Sequence, residues 1–219
     1  MTEVQTEQTS LDQINTPLKT NVIFIIDESG SMASAASDVR GGFNTYVQTL
    51  KDDSNEYSLT ALKFGTNVRP LFTNLPLSQV PELTVANYRP LDGTALYDAI
   101  GYGFASTKQQ STDPVKPDEA ERYLMIIMTD GFENSSREFD KETIVKKMKE
   151  HEASGYWTFV YLGADQDAWP IASQLGFAQG NVMSYASADT GSTFSELASS
   201  TTTTSSSGHA QTRRFFGGK

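Results

Sequence analysis

The sequence predicts an α/β domain built on a doubly wound, mostly parallel six-stranded sheet, with one short antiparallel edge strand and helices on both faces. Two continuous apolar runs, at residues 21–26 and 123–129, lead directly into Asp27 and Asp130. Such runs are typical of strands buried on both faces. Strands alternate with segments of helical periodicity, which predicts a parallel sheet covered on both sides. Right-handed crossovers then produce the doubly wound arrangement.

The first half of the domain contains a helix and a hairpin. A helix is predicted over about residues 34–51 because apolar side chains recur there at helical spacing, at Val39, Phe43, Val47 and Leu50. Gly41 and Gly42 lie inside this helix, and we expect them to permit close packing on the sheet. Residues 57–64 and 68–72 flank a Gly-Thr-Asn turn and predict a hairpin whose short second strand lies at the sheet edge.

The second half follows the same alternation of strands and helices. Its predicted elements are a proline-containing loop over 73–93, a helix marked by Leu96, Ile100 and Phe104, the strand at 123–129, a helix at about 140–154, a strand at 156–162, a short helix beginning near Pro170, a strand at 182–185 and a weak helix at about 191–199.

Composition divides the chain into three parts. We expect a flexible N-terminal lead at 1–19, the α/β domain at 20–198 and a Ser/Thr-rich flexible tail at 199–219. The tail lacks the apolar periodicity needed to offset the backbone entropy lost on folding. Phe215 and Phe216 are the exceptions, and they are candidates to dock on the domain or on a partner.

Composition also excludes several classes of function. The 219 residues include 27 acidic and 17 basic side chains, for a formal net charge of −10, which disfavours nucleic acid as a partner. The absence of cysteine excludes disulfides and thiol chemistry, and two histidines exclude a multi-histidine metal site. No apolar run approaches the roughly 20 residues of a membrane-spanning helix. Residues 1–20 lack the apolar core of a secretory signal, so we expect a cytoplasmic protein without membrane contacts.

Three segments at predicted strand ends or helix starts carry oxygen ligands. They are residues 27–32, 92–94 and 129–131, and in a doubly wound sheet ligands bind beyond the carboxyl ends of the strands. Together they supply two carboxylates and three hydroxyls, from Asp27, Ser29, Ser31, Thr94 and Asp130. An oxygen-only set suits Mg²⁺, Mn²⁺ or Ca²⁺. These five residues are therefore the candidate metal ligands.

The spacing within the first segment has a physical logic. Asp27, Ser29 and Ser31 alternate, so their side chains can point to one side of the loop, and Gly30 allows the sharp turn between them. Two carboxylates only neutralise a divalent cation. A cation whose remaining ligands are neutral hydroxyls and waters keeps its attraction for an incoming anion, so a partner's Asp or Glu can complete its coordination.

This pattern resembles the metal-ion-dependent adhesion site (MIDAS) of von Willebrand factor type A (VWA) domains, which have a Rossmann-like fold. The Asp-x-Ser-x-Ser motif, the distant Thr and the later Asp occur in order, and the resemblance covers roughly residues 20–198. It implies that Ser29 and Ser31 bind the metal directly and Thr94 directly or through water. It further implies that Asp27 and Asp130 act mostly through water.

The resemblance also implies a function. It indicates a non-enzymatic, metal-dependent module that binds a protein partner carrying an acidic residue, and it extends the partner class to subunits of ATP-driven assemblies. We expect Mg²⁺ or Mn²⁺, with Ca²⁺ a poorer fit to an octahedral site. One alternative is a structural or phage-particle component whose metal serves folding.

A second alternative is a Mg²⁺-dependent phosphoryl-transfer enzyme that uses Asp27 as its nucleophile. Haloacid-dehalogenase-like phosphatases carry a second Asp where this chain has Ser29, which argues against that alternative. A Ser–His–Asp hydrolase would have to use His151 or His209, and the sequence has no Gly-x-Ser-x-Gly motif.

Several polar residues near these loops have simpler interpretations. Thr94 can act as a helix cap, and Asp98, one turn later, is a candidate to orient the site, although we expect a solvated helix residue. Residues 133–135 are expected at the rim of the site, where they can contact a partner. His151 is expected on a helix surface, and Tyr88 is expected to pack within its loop.

Overall fold

The computed structural model describes residues 19–107, 121–164, 168–185, 190–207 and 212–217. Six strands form one sheet in the order β3-β2-β1-β4-β5-β6. Only β3 runs antiparallel, against β2, and all other neighbouring strands are parallel. The strands are β1 Lys19–Asp27, β2 Tyr57–Phe64, β3 Val68–Pro76, β4 Glu121–Thr129, β5 Trp157–Ala164 and β6 Val182–Tyr185. The predicted sheet is confirmed.

Five α-helices among the described residues cover the two faces of this sheet. They are α1 Ala36–Lys51, α2 Leu96–Thr107, α3 Lys141–Ala153, α4 Trp169–Gln174 and α5 Thr190–Ser206. The core on one face joins α1 and α5 to the sheet, and the core on the other face joins α2, α3 and α4 to it. Among the described helices, none is long and apolar enough to cross a membrane.

The position of β1 at the centre of the sheet explains the continuous apolar run at residues 22–26. Phe24 and Ile26 belong to the core beneath α1 and α5, whereas Ile23 and Ile25 belong to the core beneath α2 and α3. All four side chains are at most 1% exposed. Because alternate residues of a strand point to opposite faces, each side chain from 22 to 26 enters one core or the other, and the buried polar residues that precede this run are hydrogen-bonded.

The glycine pair in α1 serves a contact different from the one we expected. A Cβ atom on Gly42 would lie 2.0 Å from Cδ2 of Phe194, a residue of α5. Nothing lies within 4 Å of the corresponding position on Gly41. The close approach is therefore between two helices, not between the helix and the sheet, and only Gly42 requires it.

The edge strand β3 is longer than the sequence predicted. It continues through Pro76, past the expected end at residue 72, and takes the first residues of the expected loop into the sheet. Leu71, Phe72 and Leu75 are partly buried against the core, which explains the extension. The two prolines of this strand are compatible with an edge position, where fewer backbone N–H groups are needed for pairing.

The C-terminal boundary also needs correction. Helix α5 continues through Ser206, eight residues beyond the boundary expected at residue 198. Thr201, Thr204 and Ser205 are buried, and Phe215 joins the core beneath α1 and α5. The docking expected of Phe215 on the domain is thus confirmed. Residues 1–18 of the predicted lead, and tail residues 208–211 and 218–219, lie outside the described residues.

Candidate metal centre

The two central strands deliver the first part of the candidate site. Asp27 ends β1 and Thr129 ends β4, and these strands are parallel neighbours. The carboxylate of Asp27 is fully buried. Its Oδ2 accepts a 2.5 Å hydrogen bond from Oγ1 of Thr129, and its Oδ1 accepts a 2.7 Å bond from the backbone N–H of Ser29. Both carboxylate oxygens are therefore held in place.

A line of oxygens continues from Asp27 across the loop. The hydroxyl groups of Ser29 and Ser31 lie 3.1 Å apart, and the Ser31 hydroxyl donates a 2.6 Å hydrogen bond to Oδ1 of Asp130. Ser29 is buried, whereas Ser31 is exposed and Asp130 half-buried. Four of the five predicted ligands thus form one hydrogen-bonded cluster that opens to solvent at Ser31.

Thr94, the fifth predicted ligand, approaches the same cluster from the loop before α2. A Cβ atom on Gly131 would lie 3.2 Å from Oγ1 of Thr94 and 3.8 Å from Oδ2 of Asp27. A side chain at Gly131 would therefore crowd the threonine hydroxyl and touch the aspartate carboxylate, which places both groups beside this glycine. The structure brings all five predicted residues to one place.

The loop after β4 is fastened to the start of α2. Oδ1 of Asn134 accepts a 2.9 Å hydrogen bond from the backbone N–H of Thr94, and the carbonyl of Thr94 accepts one from the N–H of Asn134. The carboxylate of Glu133 accepts hydrogen bonds from the backbone N–H groups of Tyr97, Ser135 and Ser136. The side chains of Glu133 and Asn134 thus bond within the domain and hold the loop that carries Asp130 against the helix that follows Thr94.

Asp98 completes this fastening, and the expectation that it is solvated is wrong. Its side chain is buried at 7% exposure. Its carboxylate accepts three hydrogen bonds of 2.9 to 3.0 Å, from the backbone N–H groups of Arg137, Glu138 and Phe139. This carboxylate anchors the loop, because it accepts hydrogen bonds from three consecutive backbone N–H groups that the turn itself does not pair.

The loop before α2 is fastened to the other side of the cluster. The phenol of Tyr88 is buried and donates a 2.7 Å hydrogen bond to the backbone carbonyl of Asp27, which confirms its expected role in packing. The carboxylate of Glu28 accepts hydrogen bonds from Nζ of Lys63, at 2.9 Å, and from the backbone N–H of Arg89, at 2.7 Å. Lys63 therefore compensates the charge of Glu28 beside the site.

Burial sets the charge state of the central carboxyl group. Desolvation raises the pKa of Asp27 to about 6, and the hydrogen bonds from Thr129 and Ser29 oppose that rise, while the negative charge of Asp130 adds to it. A bound cation would favour the ionised form. In the described parts of the chain, no cluster of three or more Asp, Glu, His or Cys side chains could hold a metal ion. A cation here would be bound by two carboxylates and three hydroxyls, a set that fits a hard divalent ion.

The sequence interpretation missed residues that act through hydrogen bonds. Thr129 belongs to one of the three candidate segments but is assigned no role there, although its position directly before Asp130 is the signal that it orients the site. His151 was expected on a surface but is 6% exposed and packs against Phe104 and Trp157. Trp157 begins β5, so this histidine lies at the end of the sheet opposite the candidate site.

The sequence matches no protein-family model and no curated protein. Solved structures do match. The vWF domain of the type V pili tip protein Mfa5 from Porphyromonas gingivalis matches with a TM-score of 0.64 and 11% identity, over 84% of this chain and 95% of that one. A von Willebrand factor type A protein from Catenulispora acidiphila matches with a TM-score of 0.56 and 14% identity, over 84% of this chain and 43% of that one.

A third similar structure is proximal thread matrix protein 1 of the mussel byssus, with a zinc-occupied MIDAS motif. It matches with a TM-score of 0.54 and 14% identity, over 81% of this chain and 46% of that one. The chain thus spans less than half the length of the mussel and Catenulispora proteins. At these identities the comparisons establish the fold. The chain has the von Willebrand factor type A fold, which confirms the fold that the resemblance implied.

Proposed function

We propose that this chain is a metal-dependent protein-binding module. In this proposal Asp27, Ser29, Ser31, Thr94 and Asp130 hold one divalent cation, and an Asp or Glu of a partner protein completes its coordination. The observation that carries the proposal is the hydrogen-bonded line from Asp27 through both serines to Asp130 at the carboxyl ends of β1 and β4. Three loops build this arrangement, and helix capping alone would not require them to meet.

The five proposed ligands are of two kinds, charged carboxylates and neutral hydroxyls, and each kind has a different role. The carboxylates of Asp27 and Asp130 balance the two positive charges of the ion, and the three hydroxyls bind it without cancelling its remaining attraction for an anion. When bound, the cation would give a chain of net charge −10 a coordination position that an anion can fill. Thr129, Tyr88 and the loop anchored by Asp98 keep these ligands in position before the partner arrives.

The choice of metal follows from the ligands. Mg²⁺ and Mn²⁺ suit an octahedral set of hydroxyl, carboxylate and water oxygens, and we propose one of these ions for this site, with Ca²⁺ the poorer fit. The zinc-occupied motif of the mussel matrix protein supports a divalent cation in this fold without selecting between them. Because zinc also accepts oxygen ligands, it belongs in any metal comparison.

The partner is proposed to be a protein. The similarity to a pilus tip domain supports that class of partner, whereas a role in an ATP-driven assembly stays a prediction, as does the cytoplasmic location. The similarity to a thread matrix protein favours a second candidate, a structural component whose metal stabilises the fold. Loss of metal would lower the free energy of unfolding of such a component. As long as the chain stayed folded, its partner contacts would not require the metal.

An enzymatic role is not proposed. The position that would carry a second aspartate in a phosphatase is Ser29, whose hydroxyl contacts Ser31 in the cluster. In the described residues the one histidine, His151, packs against Trp157 away from the site.

Isothermal titration with Mg²⁺ and Mn²⁺ tests the proposal directly. The wild-type chain should bind one cation, and Asp27→Ala should bind none. Asp52→Ala is the matched control because Asp52 is an exposed carboxylate at the end of α1, and it should leave the affinity unchanged. Absence of Mg²⁺ and Mn²⁺ binding by the wild type at millimolar metal would contradict the proposal.

A further inference from the structure

Two large hydrophobic side chains stand in solvent beside the candidate metal centre. Leu91 is 77% exposed and Phe132 is 72% exposed, the highest values among the large hydrophobic residues described, ahead of Val85 at 61%. Leu91 belongs to the loop before α2, and Phe132 belongs to the loop after β4. Each of the two loops that border the site therefore presents one such side chain.

Leu91 is exposed although its backbone is held firmly. Its N–H donates a 3.0 Å hydrogen bond to the carbonyl of Glu28, and the carbonyl of the next residue, Asp92, accepts a 2.9 Å bond from the N–H of Gly30. These two bonds tie the strip around Leu91 to the segment that carries Ser29 and Ser31. Its exposure is thus a feature of an ordered loop.

Phe132 is held in the same way. The N–H of Gly131, before it, donates a 3.1 Å hydrogen bond to Oγ1 of Thr129. The carboxylate of Glu133, after it, accepts a 3.0 Å bond from the backbone N–H of Tyr97. Both neighbours are fixed to the site, yet the aromatic ring between them remains outside the core.

Isolated hydrophobic residues on a surface are ordinary, but these two both lie on loops that border the candidate metal centre, and the backbone on either side of each is hydrogen-bonded. Exposed apolar area gains free energy when a partner covers it. Charge restricts that partner in two ways. The chain carries a net charge of −10, which repels a partner with a broadly acidic surface. The proposed cation nevertheless needs one carboxylate from the partner. A single acid among apolar side chains satisfies both conditions.

We propose that Leu91 and Phe132 form an apolar rim that selects partners whose metal-binding Asp or Glu is flanked by large apolar side chains. This inference rests on the proposed function, since the rim contributes only while the partner's carboxylate occupies the metal. The rim adds contact area and selects the partner residues on either side of the acid. The cation makes the acid itself necessary.

A random heptapeptide library selected on the full chain tests this in two buffers, one with Mg²⁺ and one with EDTA. With Mg²⁺ we expect enrichment of peptides that carry Asp or Glu within two positions of Leu, Ile, Met, Phe or Trp. The best such peptide is then titrated against Leu91→Ser and Phe132→Ser, each of which should weaken binding about tenfold. Val85→Ser is the matched control, and it should bind as the wild type does.

The outcomes separate the two proposals. Mg²⁺ affinity, measured by titration, should be the same in all four proteins because the rim does not bind the metal. Enrichment of acids without apolar neighbours, or equal peptide affinity in the two rim variants and the wild type, would overturn the rim and leave the metal-dependent function standing. A lack of acidic enrichment in Mg²⁺ relative to EDTA would overturn the metal-dependent function, and the rim with it.

Discussion

The hydroxyl of Ser31 donates a 2.6 Å hydrogen bond to Oδ1 of Asp130, which lies 99 positions later in the chain. The two residues follow β1 and β4, and the parallel pairing of these strands brings them together. A cation bound by both oxygens would replace this hydrogen bond, so the same pair can be linked by a proton or by a metal. The contact therefore connects the topology of the sheet to the proposed chemistry.

Replacing Asp27 with alanine should remove metal binding with a modest loss of stability. The hydroxyl of Thr129 and the N–H of Ser29 lose their acceptor, which costs about 1–3 kcal/mol, while the removal of a buried charge offsets part of that cost. Isothermal titration and chemical denaturation in EDTA measure the two effects. A free energy of unfolding that falls by about 5 kcal/mol or more would show that Asp27 is primarily a structural residue.

The contribution of Asp27 to the stability of the metal-free chain should decrease as pH rises from about 4 to about 6. The pKa of Asp27 is raised from 3.8 to about 6 in the folded state, so the folded protein holds a proton that the unfolded chain has released. Stability from this group is thus greatest below pH 4, and about 3 kcal/mol is lost by the time the folded carboxyl ionises. Thermal denaturation in EDTA across this range measures the loss, and Asp27→Asn should flatten the profile.

Metal affinity should change with pH in the opposite direction. Because the cation binds the ionised carboxylate, Mg²⁺ affinity should rise by up to tenfold per pH unit below about 6 and level off above it. Titrations at pH 5 and pH 7.5 compare the two regimes. Equal affinity at both values would show that protonation of Asp27 does not compete with the metal.

Asp98→Ala should weaken the metal site from a distance. The substitution removes the acceptor for three consecutive amides and frees the loop that carries Asp130, so we expect a loss of about 3 kcal/mol in stability and several-fold weaker Mg²⁺ binding. Tyr102→Phe is a control on the same helix, since it removes only an exposed hydrogen bond to Glu138. A normal Mg²⁺ affinity in a folded Asp98→Ala protein would separate the anchor from the metal site.

The two glycines of α1 should respond oppositely to alanine. Gly42→Ala places a methyl group against the ring of Phe194 and should destabilise the chain by about 1–3 kcal/mol. Gly41→Ala meets nothing within 4 Å and should stabilise the helix by up to about 1 kcal/mol. Denaturant titration of both variants gives the comparison. Similar values for the two would argue against close packing of α1 on α5.

Arg122 should matter for the end of α5. Its buried guanidinium donates hydrogen bonds to the carbonyl of Thr204, in the last turn of α5, and to that of Ser207, just past the end of the helix. Arg122→Met keeps the length of the side chain but removes the donors, and it should cost about 2 kcal/mol and speed amide exchange across the last turns of α5. Unchanged exchange there would show that packing alone holds this helix.

The sequence alone determined the sheet and the identity of the metal-ligand candidates. The continuous apolar run of β1 predicts a strand buried on both faces, and Asp27 at its end marks the edge where ligands bind. The prediction of the sheet is confirmed because the period of a strand and the residue that ends it are local properties. The metal ligands stay a prediction, and within it Ser29 and Ser31 are local candidates, since they need only a loop that leaves the strand after Asp27.

Only the tertiary structure decided which polar residues support the site and where the last helix ends. Asp98 accepts hydrogen bonds from amides about forty positions later, which its own neighbours in sequence do not reveal, and Thr129 is marked in the sequence only by its place directly before Asp130. The first half of α5 packs apolar side chains such as Phe194 and Leu197 into the core, but its last turns are buried through hydroxyl pairs such as Thr201 with Tyr46 and Ser205 with Thr20. A hydrophobic pattern cannot predict a face that is buried by hydrogen bonds, since the partners exist only after the chain has folded.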